Sequence, residues 1–152
     1  MSSLWYAVYL ALILMILVGF AAYDIKNRRV SDWALACFMP VAALALAFYG
    51  VAPSYEILLY GLLGLLAGGL PLLAAAMVTD GGVGGGDIKL AALLGLAYGP
   101  YGIMAALMIA TLAALLLGGL RRGGPTGRAL HLPFVPFLLL GCAIITPILI
   151  FR

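Results

Sequence analysis

Long apolar runs joined by short loops dominate this sequence, and they decide what the chain can fold into. Hydrophobic residues make up 66% of the chain and charged residues only 9%, which is far outside the composition of soluble domains. A helix needs about 20 predominantly apolar residues to cross a bilayer. The sequence therefore predicts an all-α, polytopic membrane protein whose residues 1–152 form a single domain.

Six apolar runs predict six transmembrane helices. Their continuous apolar character, without alternation of period two, excludes a membrane β-barrel. The first run is too long for a signal peptide and no basic residue precedes it, so we interpret it as a span. The predicted spans are Leu4–Ala22, Trp33–Tyr49, Ile57–Val78, Ile88–Tyr98, Ile103–Leu120 and Leu132–Phe151.

Basic residues predict the orientation, because cytoplasmic loops carry an excess of Lys and Arg. With six spans, one side of the membrane holds Lys26, Arg28, Arg29, Lys89, Arg121, Arg122 and Arg128. That side is predicted to be the cytoplasm, with both termini outside the inner (cytoplasmic) membrane. The basic residues of these cytoplasmic loops account for the net charge of +3. The lipid bilayer is therefore an expected partner, and binding of nucleic acid is not expected.

The fourth span is too short to cross the bilayer alone. Ile88–Tyr98 rises roughly 16 Å at about 1.5 Å per residue, which is about half of the hydrocarbon thickness. If Tyr98 reaches the outer interface, Asp87 begins its helix inside the membrane. The segment GGVGGG (residues 81–86) would then dip inward to meet it. Glycine suits such a loop, because it allows positive φ and close approach of another backbone.

The chain has only five acidic residues, which can be considered one by one. Glu56 is predicted in an outer loop, whereas Asp24, Asp32, Asp80 and Asp87 lie at the cytoplasmic ends of spans. Asp32 is a candidate N-cap of span two, and Asp80 is interpreted as a turn residue. An ionisable group at membrane depth is costly, so Asp87 is a candidate functional residue. The alternative is that Asp87 is only a helix N-cap.

Two carboxylates that meet in a restricted cavity suggest acid–base chemistry on water. One aspartate stays ionised and takes a proton from the water, and the other holds a proton and donates it to the substrate carbonyl oxygen. A close pair shares one proton, and no metal is required. For Asp24 the alternative is an interfacial residue paired with Lys26 or Arg28.

The residues that usually hold metals are scarce. His131 is the single histidine and is interpreted as an interfacial residue. Cys37 and Cys142 lie inside apolar runs and are predicted to be buried as small hydrophobic residues, without a disulfide. The sequence therefore predicts neither a metal site nor a cofactor site.

Three elements of the sequence resemble the type IV prepilin peptidases and archaeal preflagellin peptidases, which are GxGD intramembrane aspartyl proteases. GGGDIKL (Gly84–Leu90) matches the GxGD signature. DIKNRRVSD (Asp24–Asp32) is similar to the family's Asp-x5-Ile/Leu-Pro-Asn/Asp element, with Ser31 in place of the usual Pro. LPFVPFLLLG (Leu132–Gly141) is similar to a last-span segment, with Val135 in place of the usual Gly. The three elements follow the family's order, so the resemblance covers nearly the whole chain.

The resemblance implies an endopeptidase that removes the short basic leader of prepilin-like precursors at the cytoplasmic membrane face. Such precursors are of the type IV pilin, Flp pilin or archaellin type. Asp24 and Asp87 would be the catalytic pair. Gly84 and Gly86 would shape the loop beside them and leave clearance for a substrate backbone. Lys89 would hold the loop or tune its charge, unless it is only a positive-inside anchor.

The resemblance is to the minimal, Flp/Tad-type members of the family. Longer bacterial members carry an N-terminal insertion with paired cysteines and methylate the new N-terminus. This sequence has no such insertion and no CxxC. No methyltransferase activity and no cofactor are therefore expected.

Two alternatives stay open. Presenilin-like and signal-peptide-peptidase-like proteases pair a Tyr-Asp with GxGD, and Tyr23-Asp24 fits that pattern. The last-span LPFVPF favours the prepilin peptidases. A small proton- or cation-coupled transporter would instead use Asp24 and Asp87 as an ion site. The sequence predicts neither the oligomeric state nor the particular pilin.

Overall fold

Five helical elements make up the described part of the chain. The structure, a computed structural model, describes residues 2–27, 30–48, 54–78, 83–121 and 133–150. The helices are α1 (Ser2–Asn27), α2 (Asp32–Ala43, extended by a 3-10 turn over Leu44–Ala47), α3 (Ser54–Val78), α4 (Gly85–Arg121) and α5 (Val135–Ile150). These ranges contain no β-strand, so the all-α prediction is confirmed. Asp80 and His131 lie outside the described residues.

Three of these helices are long and apolar enough to cross a membrane. The candidate spans are Leu4–Asn27, Tyr55–Val78 and Gly85–Leu117, with mean hydropathies of 2.4, 2.1 and 2.0. Asp32–Ala47 and Val135–Ile150 are shorter apolar helices. In the long helices no more than 33% of the apolar window is buried inside the bundle. An outer surface covered by large apolar side chains indicates a membrane protein.

Helix α4 is broken at Gly99. The backbone there has φ 71° and ψ 172°, a conformation that glycine adopts without strain. Pro100 follows and suits the start of a helix, where its missing N–H would have no partner anyway. The break divides α4 into a first limb, residues 85–98, and a second limb, residues 100–121.

The first limb is short, as the sequence predicts for the fourth helix. It ends at Tyr98, the residue at which the fourth span is predicted to end. Residues 85–98 rise only about 21 Å at 1.5 Å per residue, against about 30 Å for the hydrocarbon core. The count of six crossings stays a prediction.

The start of α4 differs from the prediction. The carbonyl oxygen of Gly84 accepts hydrogen bonds from the N–H groups of Asp87, at 3.0 Å, and Ile88, at 3.3 Å. Gly85 and Gly86 are therefore the first helical residues rather than part of the loop. Of the expected inward loop, residues 81 and 82 lie outside the described residues.

Glycines let α3 and α4 touch through their backbones. A methyl group on Gly95 would overlap the carbonyl oxygen of Gly64, and one on Gly68 would overlap that of Ala91. Apolar side chains gain little by leaving lipid, so close approach at small residues is a common basis of helix association in membranes. This contact fixes the first limb of α4 against α3.

Hydrogen bonds from two tyrosine hydroxyls join two further pairs of helices. Thr146 of α5 donates its hydroxyl proton to a carbonyl one turn earlier at 2.7 Å. Tyr98 of α4 is therefore the donor in its 2.9 Å hydrogen bond to Thr146 Oγ1. Tyr9 of α1 donates to the carbonyl oxygens of Val41 and Ala42, at 3.1 and 3.2 Å, close to the point where α2 tightens into its 3-10 turn. These bonds join α4 to α5 and α1 to α2.

We expect Gly95→Ala to destabilise the protein by about 1–3 kcal/mol, the usual cost of overpacking a close contact. The added methyl group meets the backbone of α3, which cannot rotate away. The fraction unfolded, measured in a denaturing-detergent titration, checks this. Gly19→Ala is the matched control, since a methyl group there meets nothing within 4 Å. Equal stability of the two variants would contradict the importance of the α3–α4 contact.

Candidate active site

Asp24 is a buried carboxylate near the C-terminal end of α1. It is 4% exposed, and its Oδ2 accepts a hydrogen bond from the backbone N–H of Val135 at 3.2 Å. Val135 is the first residue of α5, so its N–H has no acceptor within its own helix. The positive end of the helix dipole also favours a carboxylate there. The alternative partners were Lys26, which is exposed, and Arg28, which lies outside the described residues.

Local backbone contacts define this end of α5. The carbonyl oxygen of Phe134 accepts hydrogen bonds from the N–H groups of Phe137, at 3.0 Å, and Leu138, at 3.1 Å. Pro136 falls in the first turn, where a missing N–H costs no intrahelical bond. The side chain of Val135 is fully buried. Because its contact with Asp24 is made by the backbone, having valine instead of glycine leaves the contact in place.

Asp87 lies in the first turn of α4 and is partly exposed. A methyl group on Gly84 would lie 3.3 Å from Asp87 Oδ2. Glycine at this position therefore places no side chain against that oxygen. Asp87 is also close enough to Asp24 for the charge of Asp24 to act on it. The fold thus brings together the two aspartates that the sequence singles out.

Gly86 places α4 against the segment that follows α1. A methyl group on Gly86 would lie 2.8 Å from the Cβ of Val30 and 3.2 Å from its carbonyl oxygen. The clearance beside Gly86 is thus occupied by the chain's own loop. It is not left for a substrate backbone, as the sequence had suggested. Since Val30 belongs to the segment Asp24–Asp32, this contact joins two of the three sequence elements.

Lys89 forms an ion pair with Asp32. Its Nζ donates to Asp32 Oδ1 at 2.7 Å, and the two side chains are 60% and 77% exposed. The N-cap of α2 is Ser31, whose side chain makes no capping hydrogen bond. Asp32 is the first helical residue, so the prediction that it caps α2 is wrong by one position. Its carboxylate instead connects the start of α2 to the first limb of α4.

The candidate ligands that lie within the described ranges do not converge on the two aspartates. Within the part of the chain that the structure describes, no group of three or more His, Cys, Asp or Glu residues could hold a metal ion. Cys142 is buried in α5, whereas Cys37 is exposed on α2. The prediction that both cysteines are buried is therefore wrong for Cys37. The arrangement offers two carboxylates, and such a pair can exchange protons with water and with a carbonyl oxygen.

Three partners of the site were not identified as contacts from the sequence. They are Val30, Asp32 and the backbone N–H of Val135. Each lies inside one of the three sequence elements, so membership in those elements was the only indication in the sequence that these residues belong to the site. Which atoms meet depends on how the helices pack, and motif spacing does not contain that information.

A family model provides the decisive comparison. The model of the type IV leader peptidase family matches residues 5–119. This chain belongs to that family. Membership in the type IV leader peptidase family supports a peptidase, and therefore a hydrolase, that acts on prepilin-like substrates. The matched range includes Asp24 and Asp87 and ends before α5. The searches of curated proteins and of solved structures gave no match.

In this leader peptidase, Gly86→Ala is expected to lower peptidase activity roughly tenfold. The added methyl group pushes against Val30 and displaces the start of α4, and with it Asp87. A misplacement of about 1 Å can cost up to about 100-fold in rate, so a roughly tenfold loss corresponds to a smaller shift. Initial rates of peptide cleavage at equal amounts of folded protein check it.

The neighbouring glycine supplies the control. Gly85→Ala changes the same helical turn but meets nothing within 4 Å, so its rate should stay near that of the unaltered protein. Val30→Gly should partly restore the activity of Gly86→Ala, because it removes the nearest atom. Equal losses in Gly85→Ala and Gly86→Ala would contradict this role of Val30.

Proposed function

We propose that the protein is an intramembrane aspartyl endopeptidase that removes the short basic leader from prepilin-like precursors. These precursors are of the type IV pilin, Flp pilin or archaellin type. The proposal rests on one observation above all. Gly86, which adjoins Asp87, packs against Val30, six residues after Asp24, so the segments that carry the two aspartates meet in a chain of the type IV leader peptidase family.

In the proposed reaction, water attacks the carbonyl carbon of the scissile peptide bond between the two carboxylates. The ionised aspartate accepts a proton from this water while the other aspartate, which is protonated, donates its proton to the carbonyl oxygen. Collapse of the tetrahedral intermediate breaks the C–N bond, and a proton passes to the leaving amine. Water is thereby divided between the new carboxyl group and the new N-terminus.

The neighbours of each aspartate support this assignment. The N–H of Val135 holds Asp24 by one of its carboxylate oxygens. Gly84 places no side chain against Oδ2 of Asp87, which is partly exposed. One carboxylate is thus held in place while the other stays accessible, which is what an attacking water and a bound peptide require.

We also propose the membrane arrangement of this single domain, residues 1–152. The two limbs of α4 are separate crossings, which gives six in all, and both termini lie outside the inner membrane. The break at Gly99 and the basic residues near the site, Lys26 and Lys89, support this arrangement. The site then faces the cytoplasm. No methyl transfer to the cleaved product is expected.

Asp24→Asn and Asp87→Asn are each expected to reduce leader cleavage at least 100-fold. An amide neither accepts the proton of water nor donates one as a carboxylic acid does, and positioned proton transfer contributes about 10²–10⁴-fold. Cleavage of a co-expressed prepilin, followed by its shift on a gel, is the measurement. Glu56→Gln is the control, because this exposed carboxylate lies in the first turn of α3. Normal processing by either aspartate variant would remove that residue from the mechanism.

Cleavage is also expected to need no metal, cofactor or ion gradient. Detergent-solubilised protein should process the precursor equally well with and without a chelator, since two carboxylates suffice for the proton transfers. Loss of activity in chelator that is restored by a divalent cation would contradict this. Ion-dependent transport by reconstituted vesicles, without any cleavage, would favour the transporter instead.

A further inference from the structure

We propose that Asp32 is a positioning residue for the cleavage reaction. Through its ion pair with Lys89, it holds the start of α4 so that Asp87 faces Asp24. This inference rests on the proposed function and adds to it a residue outside the catalytic pair.

Two contacts bracket Asp87 on the first turn of α4. Gly86, the residue before it, packs against Val30 at a distance that excludes a Cβ. Lys89, two residues after it, binds Asp32 at 2.7 Å. Gly86 and Lys89 are three residues apart and therefore lie on one face of the helix. Both contacts reach the same short segment, Val30–Asp32.

Two contacts together fix the orientation of the first turn of α4, which a single contact does not. The contacts of Gly64 and Gly68 with α4 hold the first limb from Ala91 onward. Before Ala91, the contact at Gly86 sets the distance between α4 and the loop but still allows a small rotation of the first turn. The second contact, at Lys89, removes that rotation. Since Asp87 points about 100° away from Gly86 on the helix, rotation of this turn changes the direction in which the Asp87 carboxylate points. The ion pair therefore acts on the geometry of the two aspartates.

The ion pair lies at the open edge of the seam between α2 and α4. Beside the pair, the two helices border an open groove of about 360 Å³. Its other lining residues are Leu35, Ala36, Met39, Ala92 and Leu93. Leu35 is buried and the two helices make other contacts, so the pair is a direct polar link at the open edge of this seam and not its only contact. An exposed ion pair contributes little to overall stability, yet here it decides a local orientation.

A double-mutant cycle tests the proposal. Asp32→Asn and Lys89→Gln are each expected to lower kcat for a prepilin substrate about three- to fivefold, with KM changed less than about twofold. The double variant should be no slower than the slower single variant, because both changes break the same contact. Asn retains the short polar side chain favoured at helix starts, so Asp32→Asn removes the charge with little effect on α2. Glu56→Gln, another exposed carboxylate in a helical first turn, should leave kcat unchanged.

Three kinetic outcomes would overturn the proposal. Losses that multiply in the double variant would mean that Lys89 acts on the site without Asp32. A rise in KM at constant kcat would mean that the pair contacts the substrate. Unchanged kcat in both single variants would mean that the pair positions nothing.

A second measurement does not depend on catalysis. Asp24→Cys and Asp87→Cys are combined in a chain in which Cys37 and Cys142 are replaced by alanine, and a short thiol-reactive crosslinker joins the two positions. Adding Asp32→Asn should slow crosslinking at least about threefold, whereas adding Glu56→Gln should not. An unchanged rate would overturn the positioning role. If the unaltered protein cleaves no prepilin, the proposed function fails, and the crosslinking rate still decides whether Asp32 orients Asp87.

Discussion

A carboxylate enclosed by apolar helices needs a hydrogen-bond donor, because its removal from water is costly unless a partner compensates. Asp24 finds its donor in the first N–H of α5. This bond fixes the end of α1 relative to the start of α5. Helix α5 in turn lies against the second limb of α4, where a methyl group on Gly141 would overlap the carbonyl oxygen of Ala106. Satisfying one buried charge thus helps to set the places of three helices.

The opposite side of the site depends on close backbone contacts. Gly95 meets Gly64 of α3, and Gly86 meets Val30 of the segment after α1. The first limb of α4 is therefore held between α3 and that segment, with Asp87 at its start. Gly84 and Gly86, on the N-terminal side of Asp87, have different structural roles. Gly86 is required by the packing of the chain on itself, and Gly84 adjoins the carboxylate.

Composition and motifs predict much of this arrangement. The apolar runs predict the helices, and the shortness of the fourth span agrees with the break after Tyr98. The start of α4 at Gly85 was not predictable, because glycine has a poor helix propensity and tertiary contacts decide this turn. The exposure of Cys37 was not predictable either. In a membrane protein both the lipid-facing and the core-facing sides of a helix are apolar, so hydrophobic periodicity does not tell them apart.

The contact between Asp24 and α5 is made by the main chain, and this has a consequence for how the sequence can change. Nineteen of the twenty amino acids carry the N–H that position 135 supplies, and only proline lacks it. Valine here and the glycine usual among the resembled peptidases are equivalent in this respect. Substitutions at position 135 therefore keep the contact, and the identity of the residue there does not reveal it. A comparison of related sequences would record this position as variable, although its amide is a direct neighbour of a buried carboxylate.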